Sequence, residues 1–481
     1  MAGQDLWGRV ERRGIGFIPE TERHSSPRAM GFVFFGTQMT YGSVAIGALP
    51  VAFGLGWLSS VMAILIGTVI GAVFVALMAF MGPKTGTNGT VTSVAFFGLR
   101  GRYIGSFITQ IIDLGFFAMI LWVSAPPLVQ AGHALFGWGT GTGALTVALL
   151  LTAALVLTLG IFGHATLVAS ETFVSYASLI GLLVLALFCL PHAAAFPDPK
   201  TNPLVLGRYW PSLMLAVTVT IANAISYAPF AGDYARYLPA RTRAAPLFFW
   251  PFGGMVLGCL FACLCGEVIG LAVHDPFNPN AQMLAFVPPV LIVPVVVIGL
   301  AGNAANGAMV VYNGMLDLQA ILWRLSRPQV GVIFGLGGFG LAYLGLIVFS
   351  AANAILALCS IVTVLVTPWS IINIQGYLKQ RGRFQPAALQ AFGADGPASR
   401  YWFRAGFNPA AVLAWVVASV TGLLFSDTAL FVGPLSQAAH GVDLSFLTAA
   451  ILAGVLYPVL GRVFPDRDER AAAAQKAAQG L

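Results

Sequence analysis

Asp113 interrupts an apolar run over residues 103–131 and precedes Phe116 by three positions. A carboxylate inside such a run costs on the order of 3 kcal/mol unless it is paired, hydrated or protonated. Its chemistry is therefore that of a proton carrier or a ligand contact, unless a structural partner neutralises it. Glu267, in the run 246–272, is a second acid of this kind. Asn303, Asn306 and Asn313 fall on the run 284–319 at helical spacing, so an asparagine stripe either faces a pathway or bonds to neighbouring helices. Asp233 and Arg236 stand three apart at the end of the run 211–237, where they form either a charge pair that orients a gate or a solvated loop pair.

The elements that carry these residues follow from composition. Charged residues make up 9% of the 481 positions and hydrophobic residues 58%, with a mean hydropathy of +0.86, whereas a soluble domain carries about 25% charged residues. So few charges cannot cover a water-soluble surface. A bilayer is crossed by roughly 20 apolar residues, and apolar runs predict twelve helices near 30–53, 57–81, 103–131, 144–162, 172–190, 211–237, 246–272, 284–319, 330–349, 351–374, 408–425 and 445–463. With a cytoplasmic N-terminus, all of the 24 Lys and Arg except Lys200 and Arg208 fall on the cytoplasmic side. That is the positive-inside bias of an inserted bundle, and the net charge of +7 needs no nucleic-acid partner. The partner expected instead is the lipid bilayer of a plasma or inner membrane, with both termini cytoplasmic.

Two of these helices are interrupted. The first breaks around Gly36–Gly42 and the sixth around Ser226–Gly232, each at the start of a set of five. Paired breaks at matching places in two halves point to an inverted-repeat transporter whose site lies where the unwound segments meet, although Gly and Pro also merely kink membrane helices. The division expected is a cytoplasmic segment 1–29 and a transport core 30–374 with repeats at about 30–190 and 211–374. A cytoplasmic loop 375–407, two further helices within 408–463 and a cytoplasmic tail 464–481 complete it. The N-terminus lacks the apolar core of a signal peptide, so insertion is expected to rely on the first span.

Other classes find little support. A membrane enzyme wants His clusters, Ser/Lys pairs or paired acids at catalytic spacing, and His133, His164 and His440 lie in or near loops without paired ligands. Cys189, Cys259, Cys263, Cys265 and Cys359 lie in apolar runs and read as packing residues, with no metal site or cofactor expected. No repeated filter segment or charge ring suggests a channel.

Four segments carry a family resemblance. They are Val10–Ile15 with Ile18–Arg23; Gly82-Pro83-Lys84-Thr85-Gly86 with Phe97-Gly98-Leu99-Arg100-Gly101; Asp233-Tyr234-Ala235-Arg236-Tyr237; and Ala304-Ala305-Asn306 followed by Tyr312 and Leu316–Gln319. In this order the chain resembles the purine-cytosine permease branch of the nucleobase:cation symporters. The resemblance implies an all-α integral membrane protein of the leucine-transporter-like type, a five-plus-five inverted repeat with two C-terminal helices. It also implies import of a nucleobase or related heterocycle with a proton or sodium ion. Residue by residue, it implies that Phe116 and Tyr227 sandwich the ring, that Asn306 bonds its edge, and that Asp113 stands where relatives place a polar contact. Phe116 departs from the family's usual Trp. Gln38 and Ser226 complete the expected lining, and Asp113 and Asn303 are the ion-coupling candidates. Asp233 and Arg236 are the gate candidates. In sodium-coupled relatives, hydroxyls precede the helix 8 asparagine, yet Val295–Asn306 holds no Ser or Thr, which favours a proton. A hydantoin, allantoin, a vitamin-like pyrimidine or an amino acid is the alternative solute.

Overall fold

The computed structural model describes residues 15–160, 164–198, 200, 202–322, 325–348, 351–393, 396–427 and 431–465. The segment Val10–Gly14 of the first family motif and the tail beyond Pro465 lie outside them. The first span is two helices, α1 (Pro27–Gly36) and α2 (Tyr41–Ala52), bent by 62°. Local chemistry sets both starts. Ser26 caps α1 by accepting the Ala29 N–H, with Pro27 in the first turn where its missing N–H costs nothing, and Thr40 caps α2 by accepting the Ser43 N–H. A second capping residue within one apolar run is what makes the break.

α3 (Trp57–Ala79), α4 (Arg102–Phe136), α5 (Thr142–Gly160) and α6 (His164–Cys189) complete the first half. The second half repeats the plan. α7 (Tyr209–Ile225) ends at an unwound stretch, Ser226–Phe230, and resumes as the one-turn α8 (Ala231–Ala235). α9 (Ala244–Ala272), α10 (Pro289–Ile321), α11 (Arg327–Tyr343) and α12 (Ala351–Gln380) follow, then the pair α13 (Pro409–Leu424) and α14 (Ser445–Val463). Among the described residues nine helices are long and apolar enough to cross a bilayer. The bent pair α1/α2 adds a tenth, and α7 and α13 are apolar helices of 17 and 16 residues.

The packing displays the repeat. α1 and α2 lie on α9, and α7 lies on α3, so each broken helix is held by the second helix of the opposite half. Backbone meets backbone at both contacts: a Cβ added at Gly47 of α2 would land on the Cys263 main chain, and one at Gly67 of α3 on the Thr220 hydroxyl and the Val217 carbonyl. Small residues permit that approach, which drives helix association where lipid removes the hydrophobic incentive. Outward positions such as Leu58, Val290 and Leu336 are apolar and exposed, as lipid contact requires.

Two details differ from the sequence reading. The eighth helix begins at Pro289 rather than 284, because Pro279–Ala281 and Met283–Phe286 form 3-10 turns, and the Asn280 amide donates to the Tyr41 carbonyl at 3.2 Å. The stretch 375–407 is also less of a loop than its polarity suggests: α12 continues to Gln380 and the remainder is stapled to the approach to α4. Leu99, Arg100 and Asn408 donate backbone N–H groups to Tyr401, Gly406 and Phe97 at 3.2, 2.8 and 2.8 Å.

Candidate functional site

Between the second break and the middles of α4 and α10 lies a cavity of about 20 Å³, room for about one water molecule. Ile112, Asp113 and Phe116 of α4 line it, with Ser226, Tyr227 and Phe230 from the break, Tyr234 of α8, Asn306, Met309, Val310 and Asn313 of α10, and Thr37 from the first break. Each helix places its members by periodicity: Asp113 and Phe116 are three apart on α4, and Asn306 and Asn313 are two turns apart on α10. The lining combines aromatic faces, two carboxamides, hydroxyls and one carboxylate, without a basic side chain. Such walls suit a flat, mostly apolar solute with donors and acceptors on its edge.

The site is contracted. The Tyr227 hydroxyl donates to Asn306 Oδ1 at 3.4 Å, spanning the space a ligand would need. Phe34 of α1 meets both cavity tyrosines edge-on, Tyr227 at 6.3 Å and Tyr234 at 5.8 Å between ring centres, and so limits how their rings turn. Ser226 donates its hydroxyl proton back to the Asn223 carbonyl at 2.7 Å, which leaves the oxygen's lone pairs for the cavity. Asp113 is 1% exposed, and its Oδ2 is buried with no hydrogen-bond partner.

Five of the six residues expected to contact substrate therefore converge: Asn306, Tyr227, Phe116, Asp113 and Ser226. Gln38 does not. Its Oε1 accepts from Ser43 Oγ at 3.3 Å, Asn223 Nδ2 at 3.2 Å and Cys259 Sγ at 3.1 Å, so it ties the first break to α7 and α9, and its neighbour Thr37 faces the cavity instead. Cys259 is thus a donor as well as a packing residue. Asn303 also lies off the cavity. Its Oδ1 accepts the Tyr41 N–H at 2.8 Å and its Nδ2 donates to Ser124 at 2.7 Å, holding α2, α4 and α10 together. Sequence reading missed Thr37, Phe230 and Tyr234; the signal for the last two was their position within or one turn beyond a break already recognised.

One side of the cavity is closed by the segment that joins α3 to α4. Asp233 Oδ1 accepts the Gly89 N–H at 2.9 Å, and the Thr90 hydroxyl donates to Asp317 Oδ1 at 2.9 Å. Asp233 and Arg236 are 4% and 0% exposed, so they are not a solvated loop pair. Arg236 Nη2 donates to the Tyr312 hydroxyl at 3.4 Å, and a Cβ on Gly89 would fall on the Pro229 carbonyl, which is why the segment fits under the second break only with glycine there. Below this layer, Arg23 donates to the Ile18 and Pro83 carbonyls and Lys84 to the Ala240 carbonyl, each at 2.9 Å.

Known proteins resemble this chain in sequence and in fold. Residues 17–448 match the family model described as permease for cytosine/purines, uracil, thiamine, allantoin. The chain is 28% identical over 464 residues, 94% of its length and 96% of the relative's, to the putative purine-cytosine permease YxlA of Bacillus subtilis. It is 25% identical over 275 residues to the purine-cytosine permease FCY2 of Saccharomyces cerevisiae, about half of either chain. The transporter Mhp1, in a closed conformation with bromovinylhydantoin bound, superposes with a TM-score of 0.74 at 16% identity over 94% of this chain and 96% of that one. Its inward-facing conformation gives 0.73 at 18% identity over 96% and 97%. Together with an inverted-repeat helical bundle that encloses a site between two broken helices, a match spanning nine-tenths of the sequence makes this chain a member of the permease family for cytosine/purines, uracil, thiamine and allantoin, a transporter and not an enzyme.

Proposed function

We propose that this chain imports a nucleobase or related small heterocycle, cytosine or a purine, by symport with a proton through alternating access. The observation that carries the reading is the convergence of Phe116, Tyr227, Asn306 and Asp113 on one cavity at the second helix break. The aromatic pair stacks on the ring, each contact contributing roughly 1–3 kcal/mol. Asn306 then exchanges its bond with the Tyr227 hydroxyl for bonds to the ring edge, and Asp113 accepts a ring or amino N–H or carries the coupling proton. Proton coupling is favoured over sodium because α10 supplies no hydroxyl between Val295 and Asn306, and because Asn303 already spends its amide on Tyr41 and Ser124. The repeats at about 30–190 and 211–374 form the moving core. Asp233 and Arg236 belong to the inner gate, and the membrane is a plasma or inner membrane with both termini cytoplasmic. A hydantoin is the second reading, favoured by the ligand bound to the structurally similar Mhp1.

The test is uptake of radiolabelled cytosine and adenine into proteoliposomes, wild type beside Asn306→Ala, under imposed proton or sodium gradients. Proton-driven uptake of one base, lost in the variant, is the expected result. Uptake of neither base, with binding of a hydantoin, would replace the substrate assignment by the second reading.

A further inference from the structure

Beneath the cavity lies a carboxylate that substrate recognition leaves unused. Asp317 is one turn below Asn313 on α10, roughly 6 Å along the axis, and is 1% exposed. Its Oδ1 accepts the Thr90 hydroxyl, while its Oδ2 is buried without a partner, as is Oδ2 of Asp113 on the cavity wall. Asp233 completes the layer through the Gly89 N–H next to Thr90 in sequence. Among the described residues the cation here is Arg236, whose guanidinium donates to the phenols of Tyr237 and Tyr312; Tyr227 and Tyr234 are the remaining titratable groups facing the cavity. Three carboxylates and one guanidinium, none more than 4% exposed, would leave two uncompensated charges if all were ionised. Stranding charge at that depth is strongly unfavourable, so the layer must take up positive charge.

We propose that Asp113 and Asp317 pass the coupling proton from the cavity toward the cytoplasm, and that the Asp317–Thr90 hydrogen bond makes the inner gate sense that proton. A hydronium ion in the open cavity gives its proton to the Asp113 carboxylate, leaving water and a neutral acid. The proton then moves to Asp317 and restores the Asp113 carboxylate. Once Asp317 is neutral, its bond to Thr90 loses the charge assistance that strengthens it. The Gly89–Thr92 turn then withdraws from beneath the second break, cytoplasmic water accepts the proton, and the ionised Asp317 rebinds Thr90 to close the gate. Asp317 is a positioning and proton-carrying residue that touches no substrate. The inference rests on the proton-symport reading above.

Proteoliposomes containing wild type, Asp317→Asn, Asp317→Glu or Thr90→Val are loaded with a pH dye and assayed with labelled cytosine and adenine. Two quantities are read: accumulation driven by a proton gradient, and gradient-free exchange of internal for external base. Asp317→Asn is expected to lower accumulation by about tenfold or more, within the range of site-to-site coupling, to abolish base-dependent proton entry, and to keep exchange within about twofold. Asp317→Glu restores proton entry. Thr90→Val, which keeps the carboxylate, keeps proton entry but loosens its ratio to base uptake, and it stands in if Asp317→Asn does not fold. A proton-driven wild type with unaltered coupling in Asp317→Asn and Thr90→Val overturns this inference alone. Wild-type uptake driven by sodium and indifferent to protons overturns the proton-symport reading and this inference together.

Discussion

The two helix breaks occupy matching places in the two halves, yet the structure uses them differently. At the first, Thr37–Thr40, nearly every polar group is committed to scaffold. Gln38 accepts from three donors, Thr40 caps α2, and the Tyr41 N–H is taken by Asn303, so only Thr37 reaches the cavity. At the second, Ser226–Phe230, three side chains line the cavity and the backbone rests on the Gly89–Thr92 turn. A freed backbone in a membrane helix must be satisfied somewhere. The first break is satisfied by neighbouring helices except at Gln38 Nε2, which is buried without a partner, whereas the second rests on the Gly89–Thr92 turn and opens on the cavity.

That contrast can be broken experimentally. The largest effect is expected for Tyr227→Ala, which removes a stacking face and the hydroxyl that holds Asn306. Base affinity should fall by roughly 1–3 kcal/mol, read by binding in detergent, and an unchanged affinity would remove the second break from the site. Tyr227→Phe separates the two contributions: it keeps the ring and frees Asn306, so affinity should hold within about threefold, less than 1 kcal/mol. At the first break the expected effect is on stability. Asn303→Ala orphans the buried Tyr41 N–H and the Ser124 hydroxyl and should destabilise by about 1–3 kcal/mol, read as a lower thermal midpoint with base affinity retained in the folded fraction. The smallest change in binding is expected for Gln38→Met, which keeps the volume and removes the acceptor shared by Ser43, Asn223 and Cys259. Thermal stability should drop by about 1 kcal/mol while affinity stays within about twofold. A tenfold loss of affinity there would mean that both breaks contact the solute, and the two halves would be functionally as symmetric as they are topologically.

Much of this was legible in the sequence because membranes make polar groups conspicuous. Gly and Pro inside apolar runs marked the two breaks, and Asp113 and Asn306 stood out as polar residues at bilayer depth. Phe116 and Tyr227 were singled out by the family resemblance, not by their chemistry, since aromatics are abundant in this chain. Gln38 illustrates what spacing could not give: it and Thr37 are neighbours on opposite sides of an irregular turn, and no helical period says which faces inward. Asp317 was quoted within a motif but assigned no task, because its distance from the cavity is a matter of which helices meet, not of sequence neighbours.

Composition and patterning by themselves determined that the chain is a helical membrane bundle with two interrupted spans, because a bilayer admits few ways to satisfy a backbone and prices each charge separately. Which of the freed groups hold the scaffold, and which polar residues converge on one cavity above the Gly89–Thr92 turn, was decided only by the tertiary structure. Hydrogen bonds between α2, α4 and α10, and between the Gly89–Thr92 turn and Asp233 and Asp317, join residues more than 140 positions apart, and the sequence carries no local signal for such pairings.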